Sequence, residues 1–326
     1  MGEKGKQVIN GKAFEYALAN EYFKYIRSIG LNAIFEDDSA KNIAKNFFEE
    51  LDTGSQRQFS TAAFATIGTI VKIEPGITAQ KNAEDALHIR LAKDGEGQKG
   101  DVRDVIFSRP LSKWSIGFSA KNNNDAVKHS RLGKNLDFGQ EWIGCGCSDS
   151  YWNAIKPVFD FLDREIQAYP EMTWKDMGDE KARRIYKPLL LAFKDELFKI
   201  NEGNKDVPSK LISYLIGEHP FYKIIKHDAS RMVVVKAFNI KRGLNKTVNG
   251  KQSRYKVAPL NLPTRIVEFE FKSDSDNTLV MILDQGWEIS FRIHSASTKL
   301  ERSLKFDVQL LGNPPVLFSQ YLFQEL

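Results

Sequence analysis

The sequence has few of the residues on which disulfide frameworks and structural zinc sites are built. Its 326 residues include two cysteines and five histidines. Cys145 and Cys147 lie in the segment GCGC, too close together for an easy mutual disulfide, and no third cysteine exists to complete a cysteine-only zinc site. The histidines show no ligand spacing such as His-x-x-x-His. A disulfide-bonded scaffold and a structural zinc centre are therefore excluded.

The sequence also lacks long hydrophobic runs and several common catalytic motifs. No apolar run approaches the roughly 20 residues that span a membrane, and the first residues, MGEKGKQVINGK, lack the apolar stretch of a signal peptide. We therefore expect a cytoplasmic protein without membrane segments. Phosphate-binding P-loops, Gly-x-Ser-x-Gly nucleophile elbows and zinc-deaminase motifs are absent. What remains is a globular chain, 42% hydrophobic, that is long enough for a large core.

Positive charge is concentrated in one part of the chain. The whole chain carries +5, but residues 232–272 hold nine lysines and arginines against Glu268 and Glu270, a local charge of +7. A basic stretch of this kind indicates a polyanionic partner.

The hydrophobic pattern changes along the chain and predicts a mixed α/β (α+β) fold. Helical spacing begins in NGKAFEYALANEYFKYIRSIG, where Asn10 can cap the start, and continues in AKNIAKNFFEEL and RQFSTAAFATIGTIVK. The segment from Ala86 to Lys121 then predicts a meander of three strands, and NNNDAVKHSRLG predicts a capped helix ending at Gly133. We divide the chain into a helix-plus-meander core (1–150), a helical region (151–220) and an antiparallel β-rich region (221–326). In the last of these, Asn249-Gly250 predicts a hairpin turn.

The segment DVIFSRPLSKWSIGFSAK places a possible catalytic site on the meander. If DVIFS pairs with IGFSAK, Asp104 lies opposite Ser119, and Lys121 projects from the same face two residues later. Hydrolysis of a phosphodiester needs a hard cation with oxygen ligands and a group that orients the attacking water. Asp104 would hold the metal and Lys121 would position the water. Asp101 has the wrong alternation for this face unless a bulge intervenes.

One protein carboxylate supplies few of the ligands that a metal ion needs, so a second carboxylate must come from elsewhere in the fold. Glu15 on the first helix is the candidate. The plain structural alternative is that Asp104 and Lys121 form a cross-strand ion pair on a solvated face, worth under about 1 kcal/mol.

The order helix, antiparallel meander, helix resembles the PD-(D/E)XK nuclease fold, with Ser119 at the position that this family usually gives to an acidic residue. The segments FSAKNNNDAVKHSRLGKNLDFGQEW and SDSYW, and the final GWEISFRIHSASTKLERSLKFDVQLLGNPPVLF, are similar to the HaeIII-type restriction endonucleases from end to end of the chain. The resemblance implies a type II enzyme that cuts double-stranded DNA with Mg²⁺ at GGCC, between the central G and C, and leaves blunt ends. A palindromic target matches a two-fold symmetric protein, so a homodimer is plausible.

Three groups of residues are candidates for DNA contacts, since Arg and Lys read guanine and bind phosphates. The first is the basic stretch with Lys241, Arg242, Lys246, Lys251, Arg254 and Lys256. The second follows the catalytic lysine: Asn122, Asn124, Lys128, His129 and Arg131. The third is Arg292 and His294 on one face of a strand. The alternatives are a solvated hairpin for the first group, Asn124 or Asp125 as a helix cap in the second, and a structural histidine in the third.

Two other functions remain open. A nuclease of the same fold could recognise another sequence, because the active site constrains the target very little. A DNA-binding protein with an inactive site is conceivable because Ser119 replaces the acid.

Overall fold

The computed structural model describes residues 3–93, 101–123, 125, 127, 130–295 and 297–324. The chain divides into two compact units, each assembled from separate stretches of sequence. The first unit comprises Met1–Asp125, Glu218–Leu260 and Val316–Leu326, and the second comprises Ala126–Gly217 and Asn261–Pro315. These units differ from the consecutive segments 1–150, 151–220 and 221–326, which follow changes of helical and strand pattern. Strands after residue 218 return to pair with the first meander, and no local pattern encodes that return.

The first unit combines helices with one mixed sheet. Its elements are α1 (Glu3–Ser28), β1 (Ala33–Phe35), α2 (Ser39–Glu49), α3 (Thr53–Ile73), β2 (Leu87–Leu91), β3 (Val105–Arg109), β4 (Trp114–Asn122), β6 (Phe221–His227), β7 (Met232–Phe238) and β12 (Phe318–Phe323). The mixed α/β class predicted from the sequence is confirmed. Among the described residues, no helix is long and apolar enough to cross a membrane.

Helix α1 forms because apolar residues recur on one face. Phe14, Leu18, Tyr22 and Ile26 are fully buried in the core of the unit. The helix begins at Glu3, so Asn10 lies inside it and does not cap its start. The prediction of a helix is therefore confirmed and the predicted cap is wrong, because the helix begins about two turns before Asn10.

The sheet of the first unit has the order β1-β2-β3-β4-β6-β7-β12. Strands β2, β3 and β4 form the predicted antiparallel meander. Strand β6 then pairs with β4 in parallel, and β7 and β12 continue the sheet in antiparallel order. The strand patterns of the last third are confirmed, but β6 and β7 belong to the sheet of the meander.

The second unit contains the other helices and a five-stranded sheet. Its elements are β5 (Arg131–Gly133), α4 (Asp149–Ala168), α5 (Lys187–Gly203), α6 (Val207–Ile216), β8 (Ile266–Phe271), β9 (Thr278–Leu283), β10 (Glu288–His294) and β11 (Ser303–Gly312), and its sheet order is β5-β11-β10-β9-β8. An aromatic cluster centred on Phe193 fills its core, where Phe138, Trp142, Phe291 and Phe306 surround the Phe193 ring.

The predicted helix ending at Gly133 is wrong. Arg131–Gly133 forms strand β5, in which Leu132 pairs with Leu304 of β11 and is buried. None of the described residues between the end of β4 and β5 is helical. Burial of Leu132 in a sheet outweighs the weak local helix preference of this polar segment.

Candidate active site

The hairpin of β3 and β4 has the predicted register. Val105 pairs with Phe118 and Ile106 with Gly117. Asp104, just before β3, continues this ladder, because its backbone N–H donates to the carbonyl oxygen of Phe118 at 2.7 Å. Asp104 therefore lies beside Ser119, and a 3₁₀ turn at Pro110–Ser112 joins the strands.

The Asp104 carboxylate is held by the strand opposite. Its Oδ2 accepts a hydrogen bond from the backbone N–H of Ala120 at 2.7 Å and from Ser119 Oγ at 3.2 Å. The ammonium of Lys121 lies 3.6 Å from the same oxygen. Ser119 is buried, whereas Asp104 and Lys121 are half-exposed. The hairpin thus brings together the three predicted residues with the acid and the amine accessible to a substrate.

Helix α1 brings Glu15 to this cluster. Burial, and then the negative charge of Asp104, raise the pKa of Glu15 to about 8, although Lys12 lies 3.1 Å from its Oε2 and opposes the shift. The Glu15 side chain is buried, and its carboxyl group interacts electrostatically with Asp104 and Lys121. The site therefore contains two interacting carboxyl groups, one of which keeps its proton near neutral pH.

This pair of carboxyl groups fits a hard divalent cation. In the described part of the chain, no group of three or more His, Cys, Asp or Glu side chains is arranged to hold a metal. Two carboxylates are enough for an ion such as Mg²⁺, which keeps several of its waters and also binds substrate phosphate. A cation bound by Glu15 and Asp104 would stabilise the ionised form of Glu15 against burial, the main cause of its raised pKa, and against the charge of Asp104.

Asp101 has a different partner. Its carboxylate accepts hydrogen bonds from the Arg103 guanidinium at 2.8 and 2.6 Å, and this arginine helps to lower the pKa of Asp101 against the effect of burial. Asp101 lies before β3, so strand alternation does not govern its direction. The Arg103 side chain packs directly against Gly117. A Cβ atom at this glycine would lie 2.2 Å from the arginine side chain.

The sequence reading missed two buried lysines beside the hairpin. Lys223 on β6 and Lys236 on β7 are 2% and 8% exposed, and both ammonium groups pair with the Asp125 carboxylate at 2.5 Å. Asp125 therefore pairs with lysines, and it does not cap a helix. The available signal was a lysine inside each of two apolar strands, FYKIIKH and MVVVKAF, because such positions are rarely charged without a partner.

The basic stretch is an ordered loop, which we call the basic loop (residues 239–257). Its six predicted DNA-contact side chains are exposed: Lys241, Arg242, Lys246, Lys251, Arg254 and Lys256. Lys241 lies 3.5 Å from exposed Glu218, and Lys251 donates to Thr78 Oγ1. The Asn249-Gly250 turn is confirmed, since both residues have positive φ and Val248 and Lys251 exchange backbone hydrogen bonds.

Three asparagines, of which Asn239 is buried, fix the basic loop to other parts of the first unit. Asn239 donates to the carbonyl of Val257, and Asn245 donates to the carbonyls of Ile73 and Tyr255. Asn249 donates to the carbonyl of Ala79, to Asp85 Oδ2 and to Ser112 Oγ at 2.6–3.0 Å. The sequence predicts a role only for Asn249, in the Asn249-Gly250 turn, and does not predict the contacts of these asparagines with distant residues. Their hydrogen bonds hold the loop that carries the exposed lysines and arginines in place.

Four further candidates for DNA contact lie among the described residues: Asn122, Arg131, Arg292 and His294. Asn122 follows Lys121 and so projects from the opposite face of β4. Arg131, Arg292 and His294 belong to the second unit and have local partners: the Ser303 carbonyl, Asp307 at 3.4 Å and the Ser295 carbonyl, respectively. Arg292 is exposed on β10 and so does not face the core. The candidates Asn124, Lys128 and His129 lie outside the described residues.

Known proteins match most of the chain. The sequence model of the HaeIII restriction endonuclease family matches residues 11–314. The chain is 36% identical over 309 residues to the type II restriction enzyme HaeIII of Haemophilus aegyptius, and the match covers 94% of this chain and 95% of that enzyme. No solved structure matches.

Proposed function

The chain belongs to the HaeIII restriction endonuclease family, and on this premise we propose a Mg²⁺-dependent type II restriction endonuclease that hydrolyses double-stranded DNA at GGCC and leaves blunt ends. Enzymes of this type generally use divalent metal ions. The observation that carries the proposal is the cluster of Asp104, Ser119 and Lys121 on one hairpin with Glu15 beside it. The arrangement also supports a nuclease core of the PD-(D/E)XK type with serine in place of one acid.

Each residue of the cluster has a role in hydrolysis. Asp104 and Glu15 would hold the cation, which neutralises charge on the phosphate and lowers the pKa of a bound water. Lys121 would orient the attacking water and stabilise the negative charge that develops on the phosphate oxygens. Ser119 and the Ala120 N–H fix the Asp104 carboxylate by hydrogen bonds. The attacking water forms the new P–O bond and releases a proton to the solvent, and the leaving oxygen takes a proton from the solvent as the old P–O bond breaks.

DNA would bind mainly through exposed cations. The six side chains of the basic loop are available for phosphate contacts, and phosphate contacts fix the register of a protein on DNA. Arg131, Arg292 and His294 of the second unit, and the segment with Asn122, Asn124, Lys128 and His129, are further candidates. A palindromic target favours a homodimer, which light scattering with and without DNA would detect.

The test is cleavage of a DNA of mixed sequence with Mg²⁺, followed by sequencing of the ends. We expect blunt ends within GGCC for the parent. Asp104→Ala and Lys121→Ala should each reduce the cleavage rate at least about 100-fold. Lys187→Ala, which removes an exposed ion pair with Asp276 in the second unit, is the control and should cut like the parent.

The other outcomes separate the alternatives. Ends at a different sequence would indicate a nuclease of the same family with another target. If the parent binds DNA but never cuts it, the protein is a DNA-binding protein with an inactive site. If Asp104→Ala or Lys121→Ala cuts as fast as the parent, the assignment of these residues is wrong.

A further inference from the structure

A row of polar residues crosses the sheet of the first unit next to the candidate active site. Ser119 of β4 pairs with Lys223 of β6, and Lys223 pairs with Lys236 of β7. Residues that pair directly project to the same face of a sheet. Both lysines therefore continue the row that starts with Asp104 and Ser119.

Asp125 neutralises this lysine pair. The Lys223 ammonium lies 2.5 Å from Asp125 Oδ1 and donates to the Asp125 carbonyl at 2.6 Å, while the Lys236 ammonium donates to Oδ2 at 2.5 Å. A buried ammonium needs charged or hydrogen-bonding partners, and the Asp125 carboxylate supplies the negative charge next to both lysines. Both carboxylate oxygens of Asp125 are in turn occupied.

The lysine pair is electrostatically coupled to Lys121. Lys223 pairs with Ser119, and Lys121 projects from the same face of β4 two residues later; burial lowers the pKa of Lys223 to about 8, and the charge of Lys121 adds to this shift. Lys121 has Asp104 as its acidic neighbour at 3.6 Å, and Asp125 follows only four residues later in the chain. An unoccupied Asp125 carboxylate would compete with Asp104 for the Lys121 ammonium.

We propose that Lys223 is a positioning residue for DNA cleavage: together with Lys236 it occupies the Asp125 carboxylate, and it thereby leaves Lys121 directed toward Asp104. This inference rests on the proposed function, because it acts through Lys121. Lys223 itself touches neither substrate nor metal.

The experiment compares charge variants of Lys223 and Asp125 by single-turnover cleavage with Mg²⁺ and by DNA binding without divalent metal. Lys223→Met should slow cleavage about 100-fold, since a displacement of about 1 Å of a catalytic group has an effect of this size. DNA affinity should change less than about threefold, because the residue is buried away from DNA. Lys223→Arg, which keeps the charge, should retain most of the rate.

The decisive variant is Lys223→Met with Asp125→Asn. Asparagine cannot compete for Lys121, and its side-chain oxygen still accepts from Lys236, so the double variant should recover most of the lost rate. A purely structural role predicts the opposite, since removing a second partner would disrupt the site further. Lys223→Gln gives the same comparison if Lys223→Met does not fold.

Lys226→Met is the matched control. Lys226 is equally buried on the same strand, projects from the opposite face, and pairs with Asp228 under the ring of Phe59. The Lys226→Met variant should lose about as much thermal stability as Lys223→Met and should keep the parental cleavage rate. The inference is overturned if Lys223→Met cuts like the parent, if the double variant is as slow as the single one, or if binding falls as much as cleavage. A parent that cuts no DNA refutes the proposed function itself, and this inference with it.

Discussion

Replacing Glu15 with glutamine should stabilise the metal-free protein at neutral and alkaline pH. Burial, together with the charge of Asp104, raises the pKa of Glu15 to about 8 from its ordinary 4.5. The folded protein therefore retains a proton that the unfolded chain releases above pH 4.5. The contribution of Glu15 to the free energy of unfolding is therefore fully present below pH 4.5 and is lost as the pH rises toward 8. A glutamine side chain does not ionise in this pH range, so the stability of the variant does not decrease with pH through this group.

The expected magnitude follows from the two pKa values. At pH 7 the unfolded carboxyl is ionised and the folded one is mostly protonated, which lowers the free energy of unfolding of the parent by on the order of 3 kcal/mol. With roughly 2 °C of melting temperature per kcal/mol for a chain of this size, Glu15→Gln should melt about 5 °C higher at pH 7. Below pH 4.5 the two proteins should melt together.

The assay is thermal unfolding from pH 4.5 to 8.5 with a chelator present. The control is Glu21→Gln, which removes a glutamate of the same helix paired to Lys24 at 2.9 Å with the same i,i+3 spacing. It should change the stability by less than about 1 kcal/mol at every pH. Added Mg²⁺ should stabilise the parent but not Glu15→Gln, because the ion binds the carboxylate. If Glu15→Gln melts at or below the parental temperature at pH 7.5, the proposed buried carboxyl pair is wrong.

Three further predictions concern the metal and the basic loop. The Mg²⁺ concentration for half-maximal cleavage should fall about tenfold per pH unit between pH 6 and 8, because binding must displace the Glu15 proton; a flat profile would contradict the assignment of Glu15. DNA affinity should fall steeply as the salt concentration rises. In DNA-binding titrations, Lys246→Ala should reduce the slope of log affinity against log salt concentration by about 1. An unchanged slope would exclude a phosphate contact at Lys246. Asn249→Ala removes hydrogen bonds to Ala79, Asp85 and Ser112, so proteolysis at the turn should become faster and DNA affinity should fall, whereas equal proteolysis rates would show that the asparagine does not hold the loop.

The local parts of the site could be predicted because they depend on short-range rules. Alternation of apolar residues and a turn at Pro110–Ser112 fixed the register of β3 and β4, and therefore the meeting of Asp104, Ser119 and Lys121. The helical spacing of α1 made Glu15 a reasonable second acid.

Other parts could not be predicted because their partners are distant in sequence. The polar segment after Lys121 contains helix-capping residues, and its strand at Arg131–Gly133 exists because β11, some 170 residues later, offers Leu132 a buried neighbour. The basic loop has the composition of a linker, and its order comes from asparagine contacts to residues such as Ile73 and Ala79. The partner shared by Lys223 and Lys236 could not be predicted, because Asp125 lies 98 and 111 residues before them in the chain.

The sequence by itself determined the mixed α/β class, most of the helices and strands but not β5, the pairing of Asp104 with Ser119 and the concentration of positive charge before β8. Each of these depends on residues close together in the chain, where periodicity and turn chemistry dominate. The tertiary structure decided which strands share a sheet, which carboxyl group is buried beside Asp104, and how the two buried lysines are neutralised. These features arise from contacts between residues far apart in the chain, such as Glu15 and Asp104 or Lys223 and Asp125, and such contacts form only when the chain folds.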